Sequence, residues 1–325
     1  MSVMTLVKAI NNALDIKLNE NENVVVYGED VGYEGGVFRV TQGLQKKYGE
    51  QRVFDSPLAE SGIVGTAVGM AVAGMKPVIE MQFSGFAYPG FNHMISHVAR
   101  MRNRSRGKYT SSLVIRMPYG GGIKALEHHS ESMEALYAHI PGLKVVIPST
   151  PHDAKGLLIS AIESEDPVIY MEPKRIYRAV KQEVSDDKFN VQIGKANVVQ
   201  QGKDVTVVTY GAMMRDTQKA MALAKKAGIS VELIDLRTVY PIDVETIASS
   251  VKKTGRVITV AEAPTSFGIG AEIMSLANEE AFLHLEAPPK RVTGFDTIFP
   301  LPQGEHHYLP SPEKIYYEIE RTVKF

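Results

Sequence analysis

The sequence has 325 residues, of which 44% are hydrophobic, so it is long enough to form two domains with cores of their own. Its 36 basic and 37 acidic residues give a net charge of -1, which provides no field for collecting nucleic acid or an anionic membrane surface. The absence of cysteine excludes disulfides, thiolate metal sites and cysteine nucleophiles, and fits a reducing compartment.

The first 23 residues place apolar side chains at helical spacing and include acidic residues, unlike a signal or transit peptide. The longest weakly polar run, Gly62–Met75, has only 14 residues, a length typical of a buried helix rather than a membrane span. We therefore expect a cytoplasmic protein without a membrane partner.

Short β-branched or apolar runs in the first half predict buried parallel strands, because helical patterns lie between them. These runs are Val24–Tyr27, Val78–Phe83, Leu113–Met117, Leu143–Ile147 and Val168–Met171. The alternation predicts an α/β domain with a mostly parallel sheet.

From Lys174 to Lys203 the sequence becomes polar and irregular, which indicates a domain boundary. The alternation then restarts, with strands predicted at 204–211, 230–236 and 256–262 and helices between them. We therefore expect two domains, residues 1–185 and a smaller α/β domain of residues 186–325.

The common nucleotide-binding and catalytic signatures are absent: there is no P-loop, G-x-G-x-x-G, H-E-x-x-H or G-x-S-x-G motif. The triplet Gly120–Gly122 could cradle phosphate through exposed amides or be a plain flexible loop. His93 and His97 stand four residues apart, as zinc ligands on a helix would, but no third ligand is evident nearby. Neither feature predicts a site by itself.

Glu60 opens a predicted glycine-rich helix in which Gly62, Gly65 and Gly69 recur on one face. Glycine costs up to about 1 kcal/mol per helical position relative to alanine, so close packing on that face, for instance across a subunit contact, would have to compensate. A carboxyl group at the edge of a buried contact can hold or pass a proton. The alternative is an acidic residue that only complements the helix dipole.

Four aromatic residues, Phe83, Phe86, Tyr88 and Phe91, follow a predicted strand end, where α/β folds place ligand-binding loops. One of these rings could stack on a flat heterocycle. The alternative is that all four are ordinary core or interface packing.

The adjacent residues His128 and His129 precede Ser130 and Ser132, either of which could cap a following helix. A histidine at such a position can reach solvent and a ligand. It can equally be a polar loop residue without a catalytic role.

Several segments in a fixed order carry a resemblance to a known family. They are PLAESGIVGTAVG (57–69), the aromatic loop QFSGFAYPGF (82–91), the turn HSES (129–132), PGLKVVIPSTPHDAKGLL (141–158) and DLRTVYPIDVETI (235–247). Together they resemble, essentially end to end, the β subunits of the pyruvate and branched-chain 2-oxo-acid dehydrogenases, which are thiamine-diphosphate-dependent, transketolase-like enzymes. The resemblance implies a pyrimidine-binding domain at 1–185 and a transketolase C-terminal-like domain at 186–325.

The resemblance also implies roles for three residues, because the first domain of these β subunits binds the aminopyrimidine half of thiamine diphosphate. Glu60 matches the glutamate that hydrogen-bonds the aminopyrimidine ring and passes the proton that activates the cofactor. Phe86 matches the aromatic residue that packs on the pyrimidine. His129, rather than His128, matches the histidine expected to act near the substrate and in acyl transfer to a lipoyl group.

Partners and ions follow from the same resemblance. A separate α subunit is expected to hold the diphosphate and its magnesium, since the family's Gly-Asp-Gly magnesium motif does not occur here, and two α and two β chains are expected to assemble. The second domain is expected to contact other subunits and to dock a lipoyl acyltransferase core. A structural potassium ion is expected on main-chain carbonyls of Leu113, Ala161, Ile162, Ser164 and Asp166, where Ser164 departs from an acidic residue common in some relatives.

The implied activity is oxidative decarboxylation of a 2-oxo acid with reductive acylation of a lipoyl group, with pyruvate first and a branched-chain 2-oxo acid next. An acetoin dehydrogenase β subunit is one alternative. The others are a fragment of a transketolase-like enzyme and a non-catalytic scaffold that only docks the acyltransferase.

Overall fold

The computed structural model describes residues 1–325, which form fourteen strands and twelve α-helices. The strands are β1 Ser2–Thr5, β2 Val24–Gly28, β3 Val53–Asp55, β4 Lys76–Glu80, β5 Val114–Tyr119, β6 Lys144–Val146, β7 Val168–Pro173, β8 Lys181–Val184, β9 Asn197–Gln200, β10 Val205–Thr209, β11 Val231–Asp235, β12 Thr238–Tyr240, β13 Val257–Val260 and β14 Lys290–Val292.

The α-helices lie mostly between these strands. They are α1 Leu6–Glu20, α2 Leu44–Tyr48, α3 Glu60–Val72, α4 Tyr88–His93, α5 Met101–Arg104, α6 Glu134–Ala138, α7 Pro151–Glu163, α8 Met213–Lys226, α9 Val244–Thr254, α10 Ile269–Ala281, α11 Glu305–Tyr308 and α12 Pro312–Val323. Short 3₁₀ turns occur at Ser84–Phe86, Glu127–His129, Lys174–Ile176 and Phe282–His284, and a π-helical turn occurs at Met94–Val98. No helix has both the length and the apolar character needed to cross a bilayer.

The larger sheet has seven strands in the order β12-β6-β7-β5-β4-β2-β3. All of its pairs are parallel except the pair of β12 with β6. The five strands predicted in the first half are β2, β4, β5, β6 and β7, so the prediction of a mostly parallel sheet is confirmed. The strand predicted at Val78–Phe83 ends earlier, at Glu80, because the chain enters a 3₁₀ turn at Ser84.

The smaller sheet has five strands in the order β14-β13-β10-β11-β9, and only β9 is antiparallel to its neighbour. The strands predicted after residue 203 are β10, β11 and β13. One strand of the second half, β12, adds instead to the edge of the larger sheet.

Alternate residues of the buried strands face opposite sides of the larger sheet, as the two-residue period of a strand requires. Val24 and Val26 pack with α1 and α7 on one face, whereas Val25 and Tyr27 pack with α3 on the other. The core on the side of Val25 and Tyr27 continues into the smaller sheet, so apolar packing joins the two halves of the chain.

The N-terminal helical pattern is confirmed as α1, which Thr5 caps by accepting a hydrogen bond from the main-chain N–H of Lys8. The residues before it form β1, which pairs antiparallel with β8. This strand was not predicted, because four residues are too few to separate a two-residue period from a helical one.

Candidate active site

The predicted site residues follow neighbouring parallel strands of the larger sheet, in the order β5-β4-β2-β3. Glu60 begins α3 after β3, Phe86 lies in the 3₁₀ turn after β4, and His129 lies in the 3₁₀ turn after β5. Because parallel strands end at the same edge of a sheet, the three loops gather at that edge, where open α/β sheets bind their ligands.

Glu60 is half-buried at the first position of α3, where the helix dipole favours a negative charge. A second carboxylate lies nearby, because Glu29 directly follows β2. Burial raises the pKa of Glu29, and the negative charges of Asp30 and Glu60 raise it further. The edge of the sheet therefore holds two carboxyl groups that repel each other when both are charged.

The segment after Phe86 packs against the N-terminus of α3. Ser61 Oγ donates a 2.6 Å hydrogen bond to the carbonyl oxygen of Pro89. A Cβ added at Gly90 would lie 3.1 Å from the carbonyl oxygen of Glu60, so a larger residue would push α4 away from α3. This close approach connects Glu60 to the loop that carries Phe86.

Phe83, Phe86 and His129 form a cluster of three rings. The His129 ring meets those of Phe83 and Phe86 edge to face, with centroids 4.5 and 5.0 Å apart. Nδ1 of His129 is buried and has no hydrogen-bond partner, although nearly all buried polar atoms have one. The structure thus brings Phe86 and His129 into direct contact and leaves one ring nitrogen unsatisfied.

The loops after β4 and β5 are also fixed by their backbones. Ser84 Oγ donates a 3.0 Å hydrogen bond to the carbonyl oxygen of Glu131. A Cβ added at Gly85 would overlap the carbonyl oxygen of His128, so only glycine allows the two loops to come this close.

The structure separates the two adjacent histidines. His128 is exposed and lies 3.6 Å from the Glu131 carboxylate, whereas the His129 ring packs in the aromatic cluster. The prediction that Ser130 or Ser132 caps the next helix is wrong, because α6 begins at Glu134 without a side-chain cap.

Comparisons with known proteins cover the whole chain. The transketolase pyrimidine-binding domain model matches residues 2–180, and the transketolase C-terminal domain model matches residues 194–315. The pyruvate dehydrogenase E1 component subunit beta of Acholeplasma laidlawii is 59% identical over 100% of this chain and 99% of its own length. The proteins of the same name from Mycoplasma genitalium and Staphylococcus aureus are each 50% identical, over 98% of both chains and 100% of both chains respectively.

The chain belongs to the family of pyruvate dehydrogenase E1 component β subunits. The resemblance found in the sequence is therefore confirmed. A solved structure, a split gene transketolase described as an inactive β4 tetramer, superimposes with a TM-score of 0.81 at 23% identity over 99% of each chain. At that identity it shows the common α/β fold alone.

Two of the three amides of the glycine triplet are already used in hydrogen bonds within the chain, so the triplet does not form a three-amide cradle for phosphate. The N–H of Gly121 donates a 3.0 Å hydrogen bond to the carboxylate of Glu262, and the N–H of Gly120 donates to the carbonyl oxygen of Glu131. Glu262 is buried, and burial raises the pKa of its carboxyl group. The triplet thus attaches the His129 loop to the second half of the chain.

A buried polar cluster that the sequence analysis missed lies beside this loop. Tyr210 donates a 2.8 Å hydrogen bond to Glu134, whose pKa burial raises to about 7. Burial lowers the pKa of Lys174 to about 8. One carboxylate oxygen of Glu134 and the Nζ of Lys174 are buried without a partner. In the sequence, Glu134 and Lys174 look like surface charges. The one signal of burial was the position of Lys174 directly after an apolar strand.

The residues expected to hold potassium lie before β5 and around the turn from α7 to β7. Each of their five carbonyl oxygens already accepts a hydrogen bond. The donors are Val168 N for Leu113, Ser164 N for Ala161, Lys76 Nζ for Ile162, Ser112 Oγ for Ser164, and Ser164 Oγ for Asp166. A carbonyl oxygen has two lone pairs, so one hydrogen bond alone does not exclude a cation. The Lys76 ammonium, however, already places a positive charge on the Ile162 carbonyl, so this set of carbonyls does not fit an additional cation.

No group of three or more histidine, aspartate or glutamate side chains in the chain is placed to hold a metal ion. His93 and His97 stack on each other with ring centroids 5.6 Å apart. A cavity of about 600 Å³ lies in the second half beside α8 and β11, and none of the predicted site residues lines it.

Proposed function

We propose that this chain is the β half of an enzyme that oxidatively decarboxylates pyruvate and transfers the acetyl group to a lipoyl arm. The observation that carries the proposal is the contact between Phe86 and His129, beside the loop that packs on the N-terminus of α3. The relatives named pyruvate dehydrogenase E1 component subunit beta, matched over essentially their full length, support pyruvate as the substrate.

The exposed edge of the sheet fits the aminopyrimidine half of thiamine diphosphate. It offers a half-buried carboxyl group at Glu60, an aromatic face at Phe86 and an unpartnered ring nitrogen at His129. When bound, the cofactor supplies the electron sink that decarboxylation needs.

Each residue has one task in this proposal. Glu60 holds and passes a proton at a pyrimidine ring nitrogen, near Glu29, whose pKa is raised by burial and by the charges of Asp30 and Glu60. Phe86 packs on the pyrimidine ring and orients it. His129 exchanges a proton near the substrate during decarboxylation and acyl transfer.

We propose that the remaining half of the site belongs to an α subunit, which holds the diphosphate and magnesium, in an assembly of two α and two β chains. The glycine face of α3 supports contact with another chain. A Cβ added at Gly65 or Gly69 would meet no atom within 4 Å, so no part of this chain covers the face for which the sequence predicted close packing. Docking of a lipoyl acyltransferase core and a cytoplasmic location belong to the same proposal.

We also propose that the chain divides into a pyrimidine-binding domain, residues 1–185, and a C-terminal domain, residues 186–325. The two separate sheets and the limits of the two family models support this division. The C-terminal domain is proposed to serve subunit and acyltransferase contacts.

Co-expression with the α subunit tests the function directly. The purified complex, supplied with thiamine diphosphate and magnesium, should reduce an electron-accepting dye with pyruvate faster than with 2-oxoisovalerate or acetoin, and neither chain should be active alone. A preference for acetoin or 2-oxoisovalerate would replace pyruvate as the substrate. No turnover from a stable complex would favour the docking scaffold.

The role of Glu60 is tested in the same complex. Glu60→Gln should lower kcat at least about 100-fold while the complex still assembles, because an amide cannot pass the proton. Glu50→Gln, at an exposed position, is the matched control and should leave kcat unchanged. Wild-type turnover by Glu60→Gln would disprove the assignment.

A further inference from the structure

The ammonium group of Lys76 reaches the turn that follows α7. Lys76 is the first residue of β4 and is half-buried. Its Nζ donates a 3.2 Å hydrogen bond to the carbonyl oxygen of Ile162 and a 2.8 Å hydrogen bond to Ser112 Oγ. A positive charge therefore lies directly on one of the carbonyls expected to bind potassium.

Ser112 extends this contact to a second expected carbonyl. Its hydroxyl accepts from Lys76 and donates a 2.6 Å hydrogen bond to the carbonyl oxygen of Ser164. Hydrogen bonds that involve an ionised group are shorter and stronger than neutral ones, and a hydroxyl polarised by an ammonium becomes a better donor. Lys76 and Ser112 together therefore satisfy the carbonyls of Ile162 and Ser164.

Other cationic side chains surround the same turn. Lys17 pairs with Glu163 at 2.8 Å. Asp166 pairs with Arg102 at 2.6 Å and with Lys144 at 3.5 Å. A potassium ion bound to these carbonyls would lie in contact with the Lys76 ammonium, which has the same charge. The nearby carboxylates already pair with other cationic side chains, so they would not compensate the charge of the ion. Electrostatics at the turn therefore oppose a second cation.

We propose that the Lys76 ammonium, acting through Ser112, takes the place of a structural potassium ion in this chain, so that the enzyme does not depend on potassium. Lys76 begins β4, Ser112 lies just before β5, and the turn at Ser164 lies just before β7. These strands are neighbours in the larger sheet. The ammonium thus holds three adjacent strands together at the edge opposite the Phe86 and His129 loops, which follow β4 and β5.

A cation exchange on the wild-type enzyme tests this proposal. The α–β complex is melted in potassium chloride and in tetramethylammonium chloride at equal ionic strength, because tetramethylammonium is too large for a carbonyl cage. The melting temperatures should agree within about 1 °C, since no ion is lost. Because melting is measured without substrate, failure of the proposed pyruvate activity would not affect the result.

Lys76→Met removes the charge and keeps most of the side-chain length. In tetramethylammonium chloride its complex should melt about 5 °C or more below wild type, and potassium should restore most of the difference, because the carbonyls then need a cation. Lys46→Met, at an exposed position on α2, is the matched control and should melt like wild type in both salts.

Three results would overturn the proposal. One is a wild-type complex that is clearly more stable in potassium than in tetramethylammonium. Another is a Lys76→Met complex that potassium does not rescue or that is as stable as wild type in both salts. The third is an anomalous-scattering peak at the Ile162 and Ser164 carbonyls in wild-type crystals soaked in thallium(I), a potassium substitute. We expect no such peak, and this measurement decides the proposal if Lys76→Met fails to fold.

Discussion

The hydroxyl of Tyr210, which follows β10 of the smaller sheet, donates a 2.8 Å hydrogen bond to the buried carboxylate of Glu134, five residues after His129. This bond crosses from the second half of the chain to the loop region that carries the proposed acid–base residue. A second hydrogen bond also joins the two halves, in which the N–H of Gly121 in the first half donates to the carboxylate of Glu262 in the second half. The position of His129 therefore depends on how the two sheets pack, as well as on the loop itself.

Tyr210→Phe should destabilise the fold, because it leaves a buried carboxylate oxygen without its donor. We expect the free energy of unfolding to fall by about 1–3 kcal/mol, measured by urea denaturation at fixed protein concentration. Tyr316→Phe, which removes a 3.3 Å hydrogen bond to Glu320 within α12, is the control and should cost less than about 0.5 kcal/mol. Equal losses for the two variants would contradict an important contact between the halves.

Glu134 should make the fold less stable as the pH rises through the weakly acidic range. Burial raises its pKa from the ordinary 4.5 to about 7, so between these values the folded chain binds a proton that the unfolded chain has released. Stability from this group is thus fully present below about pH 4.5 and is lost as the pH rises towards 7, by roughly 3 kcal/mol in total. Asp235, whose pKa burial also raises to about 7, acts in the same direction.

Glu134→Gln provides the measurement, because an amide does not titrate and still accepts from Tyr210. The free energies of unfolding of the variant and the wild type, followed from pH 5 to 8, should diverge, with the variant gaining relative stability as the pH rises. Parallel curves would show that Glu134 is already ionised in the folded chain at the lower end of this range.

The buried guanidinium of Arg116 should contribute strongly to the stability of the fold. It pairs with Glu80 at 2.8 Å and with Glu172 at 2.7 Å, and all three side chains are almost completely buried. Arg116→Met leaves two buried carboxylates without a counter-charge, so the free energy of unfolding should fall by about 3–5 kcal/mol in urea denaturation. Lys47→Met breaks an exposed pair with Asp15 and should cost less than about 1 kcal/mol.

The sequence was sufficient to predict the central strands of both sheets, because parallel strands buried on both faces are continuous apolar runs. It was insufficient for β1, β3, β8, β9, β12 and β14, which have three or four residues each and pair with strands distant in the chain. Edge strands of this kind form by tertiary pairing rather than by local preference.

The same distinction holds for the candidate site. Glu60, Phe86 and His129 could be named from local pattern and resemblance, but the contact of Phe86 with His129 depends on β5 lying next to β4, an order that no local pattern shows. The contact of Lys76 with Ile162 was also out of reach, since it joins residues 86 positions apart. Long flexible side chains leave no periodic signal of where their charged ends lie.

His129 and His128 should differ sharply in their effect on turnover, although they are adjacent. His129→Gln removes the ring that packs on Phe83 and Phe86, so kcat of the α–β complex with pyruvate should fall about 100-fold or more. His128→Gln changes an exposed side chain and should leave kcat within about twofold. The reverse order of effects would move the catalytic role to His128.

Gly65→Ala should stabilise the isolated chain and reveal whether another subunit covers α3. A methyl group at this position would meet no atom of the chain within 4 Å, so alanine should raise the free energy of unfolding by about 0.5–1 kcal/mol through its higher helix propensity. If a partner backbone packs on this face, the same methyl group should weaken assembly, seen as a higher concentration for half-dissociation in analytical ultracentrifugation. Gly107→Ala is the control, because a methyl group at Gly107 would also meet no atom within 4 Å, whereas the φ of +80° at this residue disfavours alanine. This variant should therefore be less stable than wild type and should assemble like wild type. Unchanged assembly of Gly65→Ala would show that the glycine face stays open in the complex.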